Sequence, residues 1–363
     1  MSQSQRRAVV ITGVGVVNAA VVGASAALEA WLQHPRTGAR APAGRARPVL
    51  RLSKEMLGAL IDPDEGRRLA RVCQLTIAAA RLAVAEAGVD PARGLGLVVG
   101  SELGDFTSTI AFADGYLARG PAGLSPLLFP STVMNTMAAT TAIAVASREL
   151  SLTINVPTIA GELAIARGVA AVASGRVDAV LAGGVGELDP LVAEMLDALG
   201  DEGVRGEGAT FLVLEAESTA RARRATVLGR LAGAAWRSLP ARPWGVGRRV
   251  ASGAIDEVLR RAARPAPGWI YASASGDTPR DAWEARVLSA ALGSRRAPAV
   301  SLAGLVGQHA GLGALHVAAA AWTARSGVLP AGSGGEPTRV SGCGLVHGLG
   351  RGGGQAALVV EAA

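Results

Sequence analysis

The chain has little cysteine, little histidine and few aromatic residues. Its 363 residues include 2 cysteines and 4 histidines, and only 3% of them are aromatic. Cys73 and Cys343 show neither the spacing of a metal site nor that of a disulfide framework. So few histidines also argue against a zinc site. We therefore expect neither a bound metal nor a disulfide-stabilised fold.

Long hydrophobic runs are missing as well, although hydrophobic residues make up 50% of the chain and its mean hydropathy is +0.33. No apolar run reaches the roughly 20 residues that a membrane-spanning helix needs. The N-terminal stretch MSQSQRRAVVITGVG has two arginines but no apolar segment long enough for a signal peptide. We therefore expect a cytoplasmic protein without a membrane partner.

The positive charge is carried almost entirely by arginine, because Lys54 is the only lysine. The formal net charge is +7, but the arginines are dispersed along the chain. A basic stripe with interleaved aromatic residues, which is typical of nucleic-acid binding, is not present. We therefore expect no nucleic-acid partner, whereas a basic surface would suit an acidic protein.

Short β-rich runs alternate with helical patterns along the chain, in two series that meet near residue 225. This alternation predicts an α/β fold with largely buried sheets, built from two halves over residues 1–225 and 226–363. The first series has predicted strands at Ala8–Ile11, Leu97–Val99, Leu152–Val156, Ala179–Leu181 and Thr210–Leu214, and helices at Arg68–Ala87 and Ile159–Ala173. The second has strands at Leu228–Leu231, Trp269–Ser273, Ala299–Leu302 and Ala356–Val360, and helices at Val250–Ala263, Asp281–Leu292 and Ala310–Ser326.

Several stretches rich in glycine, proline or arginine interrupt this pattern. Three of them are predicted linkers, at Ala41–Arg47, Ser238–Gly247 and Ala331–Pro337. A fourth, GLGRGGG from Gly348, contains a G-x-G-x-x-G match. A dinucleotide-binding loop of that type lies between a first strand and a helix. This segment lies near the C-terminus instead, so we expect no nucleotide cofactor.

The stretch INVPTIAGELAIARG from Ile154 has the pattern of a strand, a sharp turn and an apolar helix. Enzymes often expose a nucleophile at such an elbow. Only Glu162 and Arg167 are charged between Ile159 and Ala173, so the helix is predicted to be buried. Its N-terminus would stabilise an anionic nucleophile at the turn. The residue there is Thr158, and the sequence places no obvious base beside it.

Four segments form a set that occurs together in one enzyme family. They are AVVITGVGVVNAAVVGASAALEAWL from Ala8, FPSTVMNTMAATTAIA from Phe129, SGRVDAVLAGGVGE from Ser174 and RGEGATFLVLEAESTARARRATVLGRLAG from Arg205. With these segments the chain resembles a β-ketoacyl synthase over nearly its whole length. The resemblance implies the thiolase fold, a duplicated α/β architecture with five layers in the order α-β-α-β-α.

The resemblance also assigns three reactive positions, and each holds a different residue here. The family uses a cysteine to form the acyl thioester and two histidines to assist decarboxylation and hold the enolate oxygen. Thr158 takes the cysteine position, Ser273 the first histidine and Gln308 the second. His309 is one residue away, which on a helix turns a side chain by about 100° out of the site. Because neither Ser273 nor Gln308 can accept a proton at neutral pH, we expect no catalytic residue.

This loss makes the chain similar to one class of the family, the chain-length factors, which are the non-catalytic partners of active ketosynthases. The segment DTPRDAWEARVL keeps the Asp-Ala-x-Glu-Ala core that these subunits tend to have. Leu188–Arg205 is also shorter than in catalytic ketosynthases. The resemblance implies a heterodimer with an active ketosynthase, a role in polyketide or aryl polyene biosynthesis, and an acyl carrier protein as a further partner.

By the same resemblance, two segments would form the wall of the acyl tunnel at the subunit interface. The first is helical from about Asp105, and its candidate residues recur at i, i+3, i+4 and i+7 and share one face. A plain buried helix face has the same pattern and remains the alternative. The second segment is Phe129–Met137. The candidate tunnel residues are Phe106, Thr109, Ile110, Ala113, Phe129, Met134 and Asn135.

Two other functions remain open at this point. One is an acyltransferase or esterase that uses Thr158 as its nucleophile. The other is a homodimeric acyl-binding protein on a degenerate thiolase scaffold, with no ketosynthase partner.

Overall fold

The computed structural model describes residues 7–43, 46–295, 297–333 and 335–363. The strands are β1 (Val9–Asn18), β2 (Val22–Gly23), β3 (Arg40–Ala43), β4 (Ala46–Leu50), β5 (Leu95–Ser101), β6 (Ser151–Asn155), β7 (Ala179–Gly186), β8 (Gly208–Ala216), β9 (Gly229–Ser238), β10 (Trp269–Ala272), β11 (Ala299–Val300), β12 (Val328–Leu329), β13 (Thr338–Arg339), β14 (Gly344–Leu349) and β15 (Gly354–Glu361). The helices are α1 (Ser25–Gln33), α2 (Lys54–Gly58), α3 (Pro63–Gly66), α4 (Arg71–Ala87), α5 (Phe106–Arg119), α6 (Thr136–Ala144), α7 (Ala160–Ala173), α8 (Pro190–Ala198), α9 (Glu217–Ala222), α10 (Gly253–Arg261), α11 (Thr278–Leu292), α12 (Ala303–Val306) and α13 (Leu312–Ser326).

Two five-stranded halves with the same strand order form the centre of the fold. The order is β6-β5-β7-β8-β1 in the first half and β11-β10-β14-β15-β9 in the second. The first three strands of each half are parallel to one another. The fourth, β8 or β15, is antiparallel to both of its neighbours. The halves join where the start of β1 pairs with the start of β9. This repeat confirms the predicted duplicated α/β fold.

Helices separate and cover the two halves of the sheet. The apolar face of α4 packs on the outer side of the first half, and α10 and α11 pack on the outer side of the second. Between the halves lie α7 and α13, whose aliphatic side chains form one continuous cluster with strands of both. The layers therefore follow the order α-β-α-β-α. A domain boundary at residue 225 stays a proposal, which the repeated strand order supports.

Some predicted boundaries differ from the structure. β9 continues to Ser238, well beyond the predicted end at Leu231, because pairing with β15 holds its glycine- and alanine-rich part in place. The predicted linker Ala41–Arg47 is wrong, since β3 and β4 form an antiparallel pair there. Residues 44 and 45 of that stretch, and residue 334 of the predicted linker Ala331–Pro337, lie outside the described residues. Cross-strand pairing of this kind leaves no local signal in the sequence.

The glycine-rich segment after Gly348 joins β14 to β15, which are antiparallel neighbours. It is a hairpin turn, so its glycines do not open a helix as a dinucleotide-binding loop does. In the described ranges, no helix is long and apolar enough to cross a membrane. Over the same ranges, no group of three or more His, Cys, Asp or Glu side chains could hold a metal ion.

Candidate functional site

Thr158 lies at the turn between β6 and α7 in a strained backbone conformation. Its φ angle is +67°, in the left-handed region that β-branched residues rarely adopt. The residue is 4% exposed, and α7 begins two residues later. Most residues of α7 are buried between the two halves. The predicted strand–turn–helix elbow is therefore present, with Thr158 at the positive end of a buried helix.

We expect Thr158→Gly to raise the free energy of unfolding by about 1 kcal/mol, because glycine adopts the left-handed conformation without the strain of a β-branched side chain. Thr153→Gly, within β6, is the control and should lower it by roughly 0.5–1 kcal/mol. Urea denaturation measures both changes. A loss of stability in both variants would show that the elbow is not strained.

Glycines let the second half of the chain approach this elbow closely. A Cβ atom on Gly184, in β7, would lie 2.1 Å from the carbonyl oxygen of Ala310. A Cβ atom on Gly161, in the first turn of α7, would lie 2.2 Å from the same oxygen. Both distances are far below van der Waals contact. The segment that contains Gln308 therefore packs directly against the start of α7.

Ser273, at the first histidine position, is held in structural hydrogen bonds. Its Oγ donates to Oε1 of Glu284 at 2.9 Å and accepts from the N–H of Leu349 at 3.0 Å. Its own N–H donates to the same Glu284 oxygen at 3.1 Å. These hydrogen bonds therefore link the end of β10 to α11 and to β14. The hydroxyl hydrogen of Ser273 is already used in the bond to Glu284.

Glu284 is the centre of a buried polar network that the sequence analysis did not identify. Burial opposes its ionisation, but the hydrogen bond and charge of His347 and the charge of Arg280 hold its pKa below the usual value. Nδ1 of His347 lies 2.7 Å from Oε1 of Glu284, and its Nε2 lies 3.1 Å from Nε2 of Gln355. The only sequence signal for this network was the Asp-Ala-x-Glu-Ala core, which contains Glu284.

Glu162, in the first turn of α7, is a second buried carboxyl group. Burial, with a smaller effect from the charge of Glu284, raises its pKa to about 7. Between pH 4.5 and about 7 the folded protein therefore keeps a proton that the unfolded chain releases. The free energy of unfolding should fall by up to about 3 kcal/mol over this interval and then level off.

We expect Glu162→Gln to remove this decrease. Urea denaturation of both proteins from pH 5 to pH 8 gives the difference, in which other titrating groups common to both proteins cancel. Parallel stability curves over this range would show that the pKa of Glu162 is not raised by folding.

Gln308, at the second histidine position, precedes the helix instead of lying in it. It forms an isolated β-bridge with Arg205, and α13 begins only at Leu312. The helical step assumed for His309 therefore does not apply, and Gln308 and His309 both line the same small cavity. Nδ1 of His309 accepts from the N–H of Gly311 at 3.1 Å, and burial lowers its pKa to about 3. His309 is thus a neutral, buried residue.

Thr158, Ser273 and Gln308, the three residues predicted to replace the family's reactive side chains, lie around the elbow, but other groups separate them. Glu102 accepts from the N–H of Thr158 at 3.3 Å and from Arg205 at 3.2 Å. Arg205 is bridged to Gln308 through the backbone. On the other side, the backbone of Gly350 lies against Thr158. The preceding residue, Leu349, donates its N–H to Oγ of Ser273.

Arginine–aspartate pairs fill the space beside Ser273. The guanidinium group of Arg351 donates to both carboxylate oxygens of Asp277, at 2.7 and 2.8 Å. Arg280 is 2% exposed and contacts Asp281 at 2.9 Å. The region that would receive a substrate near the first histidine position therefore holds buried ion pairs.

The predicted tunnel residues of α5 are not buried in this chain. The helix runs over Phe106–Arg119 as expected, but none of its residues is buried. Phe106 packs partly against the apolar cluster beside α8. Thr109 and Ile110 are half-buried and Ala113 is exposed. The alternative of a plain buried helix face is therefore wrong for the single chain.

The other predicted tunnel residues are exposed. Phe129 is 61% exposed, and its ring centroid lies 6.1 Å from that of Phe112 on α5. Met134 is exposed as well, with its Sδ close to Gly104, and Asn135 lies exposed just before α6. The structure thus brings this segment and α5 together on one side of the first half.

Residues 120–147, which we call the uncharged face, contain no charged side chain. Leu127 is 91% exposed and Ile143 is 83% exposed. Other large hydrophobic side chains exposed on this face are Leu124, Phe129, Val133 and Met134. Beside it lies β6, the end strand of the first half, for which β5 is the only partner among the described strands. So many exposed large hydrophobic side chains within one uncharged segment are typical of an interaction site.

Comparisons with known proteins agree with this fold. Residues 56–220 match the family model of the β-ketoacyl synthase N-terminal domain. One relative is the tetracenomycin polyketide synthase ketoacyl synthase alpha subunit of Streptomyces glaucescens, which is 26% identical to this chain over an alignment of 375 residues, gaps included. The alignment covers 91% of this chain and 88% of that protein.

Two solved structures have the same fold over almost the whole chain. The ishigamide ketosynthase/chain length factor has a TM-score of 0.87 and 21% identity, covering 99% of this chain and 100% of that chain. A type II polyketide synthase acyl-carrier protein in complex with its ketosynthase bound to the hexaketide has a TM-score of 0.82 and 19% identity, with the same coverage. Residues 56–220 are therefore similar to the N-terminal domain of the β-ketoacyl synthases, and the chain has the thiolase-like fold of the ketosynthases.

Proposed function

We propose that this chain is a non-catalytic, chain-length-factor-like subunit that forms a heterodimer with an active ketosynthase in polyketide biosynthesis. The uncharged face is the observation that carries the proposal. Its exposed side chains and the free edge of β6 form a surface typical of a permanent subunit interface, which is larger and more apolar than a transient one.

The residues around the elbow support a non-catalytic role. Thr158 has a hydroxyl group that needs a base, Ser273 already donates its hydroxyl hydrogen bond to Glu284, and Gln308 has an amide that cannot accept a proton. The cavity lined by Gln308 and Glu102 has a volume of about 20 Å³. That volume holds one water molecule but no acyl thioester.

In the proposed heterodimer the acyl chain is attached to the partner's cysteine and extends into a tunnel at the interface. Phe129, Met134 and Asn135 lie on the uncharged face, and α5 lies next to it. Covering this face with the partner would bury these side chains together with Ile110 and Ala113. Their bulk would then set the length at which elongation stops.

An acyl carrier protein would deliver the growing chain, as the carrier protein in one of the solved complexes binds its own ketosynthase. The net charge of +7 would attract such a carrier if it is acidic. We further propose that the pair works in the cytoplasm, where a soluble carrier protein would reach it.

Co-expression with a catalytic type II ketosynthase tests the proposal. We expect the two to purify as a heterodimer that elongates malonyl units, whereas this chain alone turns over none. If this chain purifies only as a homodimer, and its solubility does not increase when the ketosynthase is co-expressed, the result would favour the stand-alone acyl-binding protein. A covalent acyl adduct on the isolated chain that is lost in Thr158→Ala would favour an acyltransferase or esterase.

A further inference from the structure

The small cavity behind the elbow has walls of two different kinds. One wall is aliphatic and consists of Leu188, Val192 and Leu196, from α8 and the loop before it. A second wall includes the charged side chains of Glu102, Glu187 and Arg205. The aliphatic wall would suit a hydrocarbon chain, but the charged wall leaves only about 20 Å³ of free space.

The two charged side chains are fixed in this position. Glu102 accepts from the N–H of Thr158 and from Arg205, and Arg205 also forms an ion pair with Asp201. The side chains of Glu102 and Arg205 are each 8% exposed. The Asp201 carboxylate also accepts from the N–H of Gly203 at 2.9 Å, which anchors the far end of the network.

This ion pair is a poor source of stability. Removing two charges from water costs several kcal/mol per ion, and the loss is offset only when every donor finds an acceptor. The Nε atom of Arg205 is buried and has no hydrogen-bond partner among the described residues. An apolar pair of the same size would fit the adjoining aliphatic wall better, so a role other than stability is indicated.

We infer that Glu102 and Arg205 act as a plug that fills an acyl-binding pocket in this chain. Without the two side chains, the enlarged cavity beside the aliphatic wall would admit an unbranched acyl group of medium length. The plug keeps an acyl group out of this subunit and leaves it to a subunit that can extend it. The inference concerns this pocket alone and holds whether or not the partner proposed above exists.

The test measures binding of a neutral acyl thioester, octanoyl-N-acetylcysteamine, to the isolated full chain by isothermal titration calorimetry. We expect no saturable binding to the wild type. Glu102→Ala/Arg205→Ala, which empties the pocket, should bind the probe saturably, with an affinity at least about tenfold above the weakest that the titration detects. Glu102→Gln/Arg205→Met removes the charges but keeps most of the volume, and it should resemble the wild type.

Thermal denaturation establishes that each variant is folded. If the double alanine variant does not fold, Glu102→Ala alone replaces it, because Arg205 then keeps its ion pair with Asp201. Binding of the probe to the wild type as tightly as to the emptied variant would overturn the inference. The inference would also be overturned if the folded double alanine variant bound no probe. It would likewise be overturned if Glu102→Gln/Arg205→Met bound the probe as tightly as the double alanine variant, since exclusion of the probe would then not depend on occupied space.

Discussion

Leu127→Asp/Ile143→Asp should weaken pairing with the ketosynthase about a thousandfold (roughly 4 kcal/mol) and abolish polyketide formation. The two side chains are 91% and 83% exposed in the single chain. An aspartate at either position is therefore solvated in the free subunit. In the heterodimer both carboxylates would be buried in an apolar interface without a partner, and each would cost about 2 kcal/mol or more.

The dissociation constant is measured by calorimetry with the purified ketosynthase, and product formation by mass spectrometry. Leu199→Asp is the matched control, because Leu199 is also an exposed leucine but lies outside the uncharged face. The control should pair normally, and all three proteins should melt at similar temperatures. A folded double variant that pairs as tightly as the wild type would show that the uncharged face is not the interface.

Arg280→Ala should lower the free energy of unfolding by about 3–5 kcal/mol, the usual result of removing one partner of a buried ion pair. Arg280 donates to the carbonyl oxygens of Ser273 at 2.7 Å and Leu349 at 3.2 Å. It also contacts the carboxylates of Asp277 and Asp281, at 3.8 and 2.9 Å. Its removal would leave these acceptors without this donor in a region that water does not reach.

Urea denaturation at constant pH measures this loss. Arg221→Ala is the control, because its ion pair with Glu217 spans one turn of an exposed helix surface and should contribute about 0.5 kcal/mol or less. The loss of unfolding free energy in Arg280→Lys should lie between those of Arg280→Ala and Arg221→Ala, since lysine keeps the charge but lacks the planar set of donors of a guanidinium group. An effect of Arg280→Ala no larger than that of Arg221→Ala would mean that the Ser273 region is more hydrated than its packing indicates.

The sequence was most informative where a physical pattern is local. The nearly uncharged run from Ile159 to Ala173 predicted a buried helix, and α7 is buried between the two halves. Thr158 was placed at a strand–turn–helix elbow because a β-branched run ends at a proline just before an apolar helix. The prediction that a cysteine and two histidines are replaced depended only on which residues occupy three positions.

The sequence was least informative where function depends on what a side chain contacts. The apolar period of α5 correctly predicted a helix, but the same period fits a buried face and an exposed one. By resemblance, Gln308 was expected at the opening of a helix, whereas it forms an isolated β-bridge with Arg205, four residues before α13 begins.

From the sequence alone came many of the strands and helices, the duplicated plan and the prediction that the family's reactive side chains are replaced, because each of these depends on residue identity or on the short period of apolar residues. The central strand β14 was missed. The tertiary structure decided that Glu102 meets Arg205 across 103 positions of chain and that His347 meets Glu284 across 63. It also left the uncharged face without cover. Contacts between distant residues form only when strands and helices pack against one another, and no local pattern of apolar residues records which side chains that packing brings together.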